Sequence, residues 1–106
     1  SYYKESLEIE EKIGNPRGIA NSLNNLGNVY GDSGDQKASV DHYLKAANIF
    51  ERIMDQNGLA TTFNNVGVVY HYANEPENAI EYYTKALEKA PENQKQRITG
   101  TLAGLQ

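Results

Sequence analysis

A chain of 106 residues, 39% hydrophobic and 23% charged, has room for one small core, and the absence of cysteine removes disulfides, thiolate metal sites and cysteine nucleophiles together. Ten Lys and Arg against fourteen Asp and Glu give a net charge of −4, the wrong sign for a protein that tracks phosphates, so nucleic acid is not an expected partner. No apolar run approaches the roughly 20 residues of a membrane span, and the start SYYKESLEIEEK has neither an initiator Met nor the apolar stretch of a signal peptide, so the chain reads as part of something longer.

In chain order, the first element is YYKESLEI, a helical stretch opened by Tyr2-Tyr3 and followed by a break at Gly14-Asn15-Pro16. Residues 18–30, GIANSLNNLGNVY, come next. There Leu23, Leu26, Gly27 and Tyr30 run i, i+3, i+4, i+7, the stripe of an amphipathic helix with one buried face. A break at Gly31-Asp32-Ser33-Gly34-Asp35, with Asp35 suited to an N-cap, leads to a helix carrying Val40, Tyr43, Ala46 and Ala47. Its continuation ANIFERIMDQ adds Ile49, Phe50 and Ile53.

Asn57-Gly58 reads as the next linker. Residues 58–70, GLATTFNNVGVVY, then repeat the stripe as Phe63, Val66, Gly67 and Tyr70. A break at Ala73-Asn74-Glu75-Pro76 follows, with Pro76 suited to a first helical turn, and the next helix presents Ile80, Tyr83, Ala86 and Leu87. Beyond Pro91, the tail ITGTLAGLQ lays Ile98, Leu102 and Leu105 over Ile19, Leu23 and Leu26 at an offset of 79, one short of two periods.

The repeat is explicit: Gly18 and Gly58, Asn24-Asn25 and Asn64-Asn65, and Tyr30 and Tyr70 recur at a spacing of 40, as do Tyr2-Tyr3, His42-Tyr43 and Tyr82-Tyr83. Such a period marks stacked supersecondary units, and short loops make consecutive helices antiparallel. The expected fold is all-α, a solenoid of antiparallel helix pairs truncated at both ends. Residues 1–15 are the second helix (B) of a partial repeat, 18–57 and 58–97 are full repeats, and 98–106 are a partial first helix (A). Open ends expose apolar stacking surfaces, so end-to-end self-association of the fragment is one expectation.

These residues resemble the tetratricopeptide repeat, whose helix A carries a large residue, then Leu, Gly and Tyr, followed by Gly-Asp and a helix B with small, aromatic and small positions. The first copy reads Leu23, Leu26, Gly27, Tyr30, Gly34-Asp35, Ser39, Tyr43 and Ala46. The second reads Phe63, Val66, Gly67, Tyr70, Asn74-Glu75, Ala79, Tyr83 and Ala86, departing at the turn and at Val66. The period of 40, against 34 for the family, looks like that of kinesin light chain repeats and bacterial regulator arrays, and is expected to lengthen helix B by 6 residues. Pro91 marks a helix of more ordinary length. Gly27 and Gly67 remove a side chain where helix A crosses its partner, and Ala46, Ala79 and Ala86 do the same on helix B.

The resemblance implies a right-handed superhelix whose A helices line a concave surface, with the task of holding another polypeptide. The helix A face opposite the packing stripe is Asn21, Asn24, Asn25, Asn28 and Asp32 in the first repeat, and Thr61, Asn64, Asn65, Val68, His71 and Tyr72 in the second. Asparagine costs a helix about 0.6 kcal/mol relative to Ala, so propensity does not explain so many. Its amide can bond both the N–H and the C=O of a peptide unit, which grips extended backbone without reading its sequence. In the family, an Asn at the place of Asn25 and Asn65 often does this, and the resemblance implies that role here. Asn24 and Asn64 rank next, then Asn21 and Asn28, which Thr61 and Val68 replace in the second copy. The alternative is that these amides bond neighbouring helices or face water.

His71 and Tyr72 offer either an aromatic anchor for a ligand side chain or a solvated helix end. No Lys or Arg stands on this strip, which argues against a clamp for a C-terminal carboxylate. Tyr30, Tyr43, Tyr70 and Tyr83 occupy packing positions. His42 and His71 are non-equivalent and have no HExxH-like neighbour, so no metal is expected. Without a Gly-rich phosphate loop or nucleophile elbow, and with Glu8, Glu10 and Glu11 forming an exposed helix edge, neither catalysis nor a cofactor is expected. The leading role is a protein-interaction module that binds an extended peptide on its Asn-rich face; the alternatives are a regulatory or sensory module of a larger signalling protein and a self-associating scaffold. Acidic charge mildly favours basic or neutral partners. The compartment is left open, the cytoplasm slightly favoured.

Overall fold

The computed structural model describes residues 15–105 as five helices: α1 (Pro16–Asp32), α2 (Gln36–Arg52), α3 (Gln56–Tyr72), α4 (Pro76–Lys89) and α5 (Glu92–Leu105). The B helix expected over residues 1–15 lies outside this range except for Asn15, which caps α1: its side chain accepts from the Gly18 N–H at 3.1 Å. Each helix packs on the next in the chain, so α1–α2 and α3–α4 are antiparallel hairpins and α3 closes on α2.

The 40-residue period has a direct construction. α1, α2 and α3 are each 17 residues long and are separated by three-residue turns, so two helices and two turns fill one period. Helix B therefore does not carry the whole extension: the A and B helices of this repeat are equal in length, and the added residues are shared. The expected linker at Asn57-Gly58 is corrected by the same observation, because both residues lie in the first turn of α3. Asp55 starts that helix early by accepting from the Gly58 N–H at 3.0 Å.

The three turns that join α1 to α4 use one backbone device. The N–H groups of Asp35, Asp55 and Glu75 bond the carbonyls of Tyr30, Phe50 and Tyr70 at 2.8–2.9 Å, and those of Gly34, Met54 and Asn74 bond Gly31, Glu51 and His71 at 3.1 Å. This is the Schellman pattern, which needs a left-handed residue just past the helix. Gly34, Met54 and Asn74 supply it, with φ of 86°, 58° and 62°. The residue that completes each Schellman turn is also the N-cap of the next helix, which is why three residues suffice.

The core lies between the helices of each hairpin and between successive hairpins. In the hairpins the Tyr43 ring lies against Gly27 and the Tyr83 ring against Gly67. Between them, Leu23, Ala46, Ala47, Phe50 and Leu59 form one buried cluster, and Ala60, Ala79, Tyr83, Ala86, Ala90 and Ile98 form a second that seats α5. Full burial of side chains such as Leu59, Val66 and Ile98 stabilises the stack by about 1.5–3 kcal/mol each. α4 is shorter, at 14 residues, and Pro91 follows it, so α5 starts closer behind α3 than the period would place it. Ile98 still takes the inward position that Leu59 holds in α3.

Candidate functional site

Because α2 crosses behind them, the A helices α1 and α3 stand side by side and a groove of about 450 Å³ opens between their C-terminal halves. Asn28 and Asp32 line it from α1, and Asn65, Val68 and Tyr72 from α3. Gln36 and Tyr43 of α2 complete its floor and one end.

The groove's polar groups are held from below. The Tyr43 hydroxyl, arriving from the buried face of α2, donates to Asn28 Oδ1, which fixes that amide and leaves its NH2 without a partner among the described residues. Burial first and the Asp32 carboxylate second push the Tyr43 phenol above its ordinary range near 10, so it stays protonated and remains a donor. Asn65, half-buried on the opposite wall, makes no side-chain hydrogen bond among the described residues. Gln36 Nε2 donates to Glu75 Oε2 at 2.6 Å, tying the start of α2 to the turn before α4. Tyr72 is 88% exposed, its ring stacked on that of His71 at 5.9 Å. Among the described residues Asp32 is the one charged lining residue, and no Lys or Arg lines the groove.

The structure thus gathers Asn28, Asp32, Asn65, Val68 and Tyr72 from the expected face and leaves the others outside the groove. Asn21, Asn25 and Thr61 are exposed and Asn64 is half-buried, without side-chain hydrogen bonds among the described residues. His71 is exposed and meets Tyr83 edge-on at 6.4 Å. Asn24 has a different use. Its amide N–H donates to Thr62 Oγ1 at 3.0 Å, while the Thr62 hydroxyl donates to the Gly58 carbonyl at 2.8 Å. Thr62 is fully buried, so this bond staples α1 to α3 and realises, for Asn24, the alternative of bonding a neighbouring helix.

Of the expected packing residues, Leu23, Leu26, Gly27, Tyr43, Gly67, Ala79, Tyr83 and Ala86 are buried. Tyr30, Phe63 and Tyr70 are half-buried: Tyr30 stacks on His42 at 5.0 Å and Tyr70 on Tyr82 at 5.8 Å. Sequence reasoning missed Thr62, Gln36 and the reach of Tyr43 into the groove. One signal was present for the last, since a tyrosine where phenylalanine would pack equally well implies a partner for its hydroxyl. Among the described residues, no three His, Cys, Asp or Glu converge as metal ligands, and no helix is long and apolar enough to cross a membrane.

A sequence model of the tetratricopeptide repeat matches residues 1–52 and again residues 39–92. No curated protein matches the chain by sequence. Among solved structures, the crystal structure of BtubC (BKLC) from P. vanneervenii is similar, with a TM-score of 0.82 at 21% sequence identity. The match covers 98% of this chain and 46% of that one, so the chain spans less than half the length of BtubC; at this identity the likeness is one of fold.

Proposed function

We propose, from the premise that this chain belongs to the tetratricopeptide repeat family, that it binds an extended segment of a partner protein in the groove between α1 and α3. Repeats of the family mediate protein–protein interaction, and the groove is where these two would do so. The observation that carries the proposal is the pairing of two amides from successive A helices across one cleft: Asn28, held by Tyr43, and Asn65. Their spare donors and acceptors suit the main chain of an extended peptide, whose N–H and C=O groups need partners once they leave water. Val68 adds an apolar group to the α3 wall of the cleft, and the exposed Tyr72 ring offers a large contact surface at low entropic cost. The volume falls within the roughly 300–1,000 Å³ typical of ligand clefts, and the Tyr43 bond fixes Asn28 before anything binds, which lowers the ordering cost.

The test is a titration of peptides, selected from a randomised library, against the wild-type chain and against Asn65→Ala and Tyr72→Ala. Each substitution is expected to weaken binding by roughly tenfold or more without lowering the melting temperature, as for the central residues of a contact. Lys45→Ala, on the exposed side of α2, is expected to leave binding unchanged. Undiminished binding by both groove variants would remove the groove as the site.

A further inference from the structure

α1 ends on a residue that its own helix disfavours. Asp32 is its last residue, at the negative end of the helix dipole, which a carboxylate worsens and a cation relieves. No basic residue stands in the last turn of α1, and none of the ion pairs among the described residues involves Asp32. Lys37, one residue beyond Gln36 on α2, is paired with Asp41 at 3.0 Å. The Glu75 carboxylate, held by Gln36 at the same end of the groove, adds a second negative charge.

One period along, the position of Asp32 is taken by Tyr72, the last residue of α3. The two repeats therefore set a carboxylate and an exposed aromatic ring on facing walls of one groove. Both attract cations: the carboxylate through charge-assisted hydrogen bonds, the ring through the negative face of its π system.

We infer that the segment bound in this groove presents a cationic side chain, arginine ahead of lysine, to Asp32 and Tyr72. The inference rests on the reading of the groove as a peptide site and names what that site selects. A guanidinium is planar and can pair the carboxylate with two parallel N–H bonds while stacking on the ring; an ammonium offers only a point charge to each. Asn28 and Asn65 are left for the main chain. An acidic segment is disfavoured here, since none of the described residues lining the groove would offset its charge.

Selection of randomised peptides on the intact chain, followed by titration of the winners near physiological salt, tests this. Winners are expected to share one Arg or Lys. Replacing that residue by Met, or Asp32 by Asn, is expected to weaken binding roughly tenfold, and the two changes together little more than either alone, as for partners in one contact. Asp32→Asn is expected to leave the melting temperature of the free protein unchanged or raise it, because it relieves the helix end. Winners without a shared cation, or winners that lose affinity to Asn65→Ala yet bind Asp32→Asn as tightly as wild type, would overturn this inference and leave the groove reading standing. No winners at all, or winners indifferent to Asp32→Asn, Asn65→Ala and Tyr72→Ala alike, would overturn both.

Discussion

Helices α1 and α2 close around Gly27 and Tyr43, and α3 and α4 around Gly67 and Tyr83, but the first pair closes more tightly. A Cβ added at Gly27 would stand 2.5 Å from a Tyr43 ring carbon, and one at Gly67 would stand 2.8 Å from Tyr83. The first crossing is also stitched by polar bonds: Ser39 Oγ donates to the Gly27 carbonyl at 2.7 Å, and Tyr43 donates to Asn28. In the second hairpin, Ala79 stands in the place of Ser39 and Val68 in the place of Asn28, so neither bond can form. Packing sizes are kept from repeat to repeat while polar links are not. The bond that tightens the first crossing is the one that fixes Asn28 at the groove, so groove geometry and stability are coupled in the first hairpin through a link that the second lacks.

The largest expected effect comes from filling the crossings. Gly27→Leu and Gly67→Leu are each expected to overpack a buried tyrosine ring and cost about 1–3 kcal/mol, with Gly27 at the upper end because its ring is nearer and is held by Asn28. Thermal unfolding of the two variants measures the difference. Equal losses would mean that the polar stitching adds no rigidity, and an unchanged melting temperature in either would sink the packing assignment.

The crossings were legible in the sequence because size classes recur at a fixed spacing: Gly27 with Gly67, Tyr43 with Tyr83, Ala46 with Ala86. The turns were less legible. Gly58 looked like a linker because glycine usually punctuates, yet it sits inside α3 to admit the Phe50 ring, and the left-handed residue of that turn is Met54, which no propensity would nominate. The face of α1 was legible as polar, but not which amide was free. Asn24 and Asn25 are neighbours in the chain, and only the position of Thr62 on another helix decides that Asn24 is bonded and Asn25 is not. That information lies in the angle between helices, which periodicity does not carry.

Removing the stitching itself is the next effect. Ser39→Ala is expected to cost about 0.5–1.5 kcal/mol, the net worth of one buried neutral hydrogen bond, and to bring the first hairpin towards the second. Hydrogen exchange of the α1 and α2 amides, compared with those of α3 and α4, would show whether protection in the first hairpin falls to the level of the other. No change there would place the difference between hairpins elsewhere.

A smaller gain is expected at the turns. Gly34, Met54 and Asn74 hold the same left-handed position, and only the first does so without a side-chain penalty. A left-handed non-glycine residue costs about 1–2 kcal/mol, and glycine returns about 0.5–1 kcal/mol of that through the entropy of the unfolded chain. Met54→Gly is therefore expected to stabilise by about 0.5–1 kcal/mol, since Met54 is 81% exposed and gives up no packing. Chemical denaturation resolves a change of that size, and a loss of stability would mean that the Met54 side chain contributes contacts its exposure does not suggest.

The smallest effect tests the caps. Asp35 and Asp55 each accept a backbone N–H of the following helix, at 3.1 and 3.0 Å, whereas Glu75 starts α4 with no side-chain cap bond. Its longer side chain is engaged instead by Gln36 at 2.6 Å across the end of the groove. Glu75→Asp would gain a cap worth about 0.5–1 kcal/mol and lose a half-buried bond of similar size, for a net change within about 0.5 kcal/mol. In a Gln36→Ala background the only bond at stake is the exposed one that Asn78 donates to Glu75 Oε1 at 3.3 Å, and the same substitution is expected to stabilise by nearly the full value of the cap. The difference between the two backgrounds is the coupling between Gln36 and Glu75. If Glu75→Asp stabilises equally in both, that bond holds nothing together and the groove end is set by the backbone of the two turns alone.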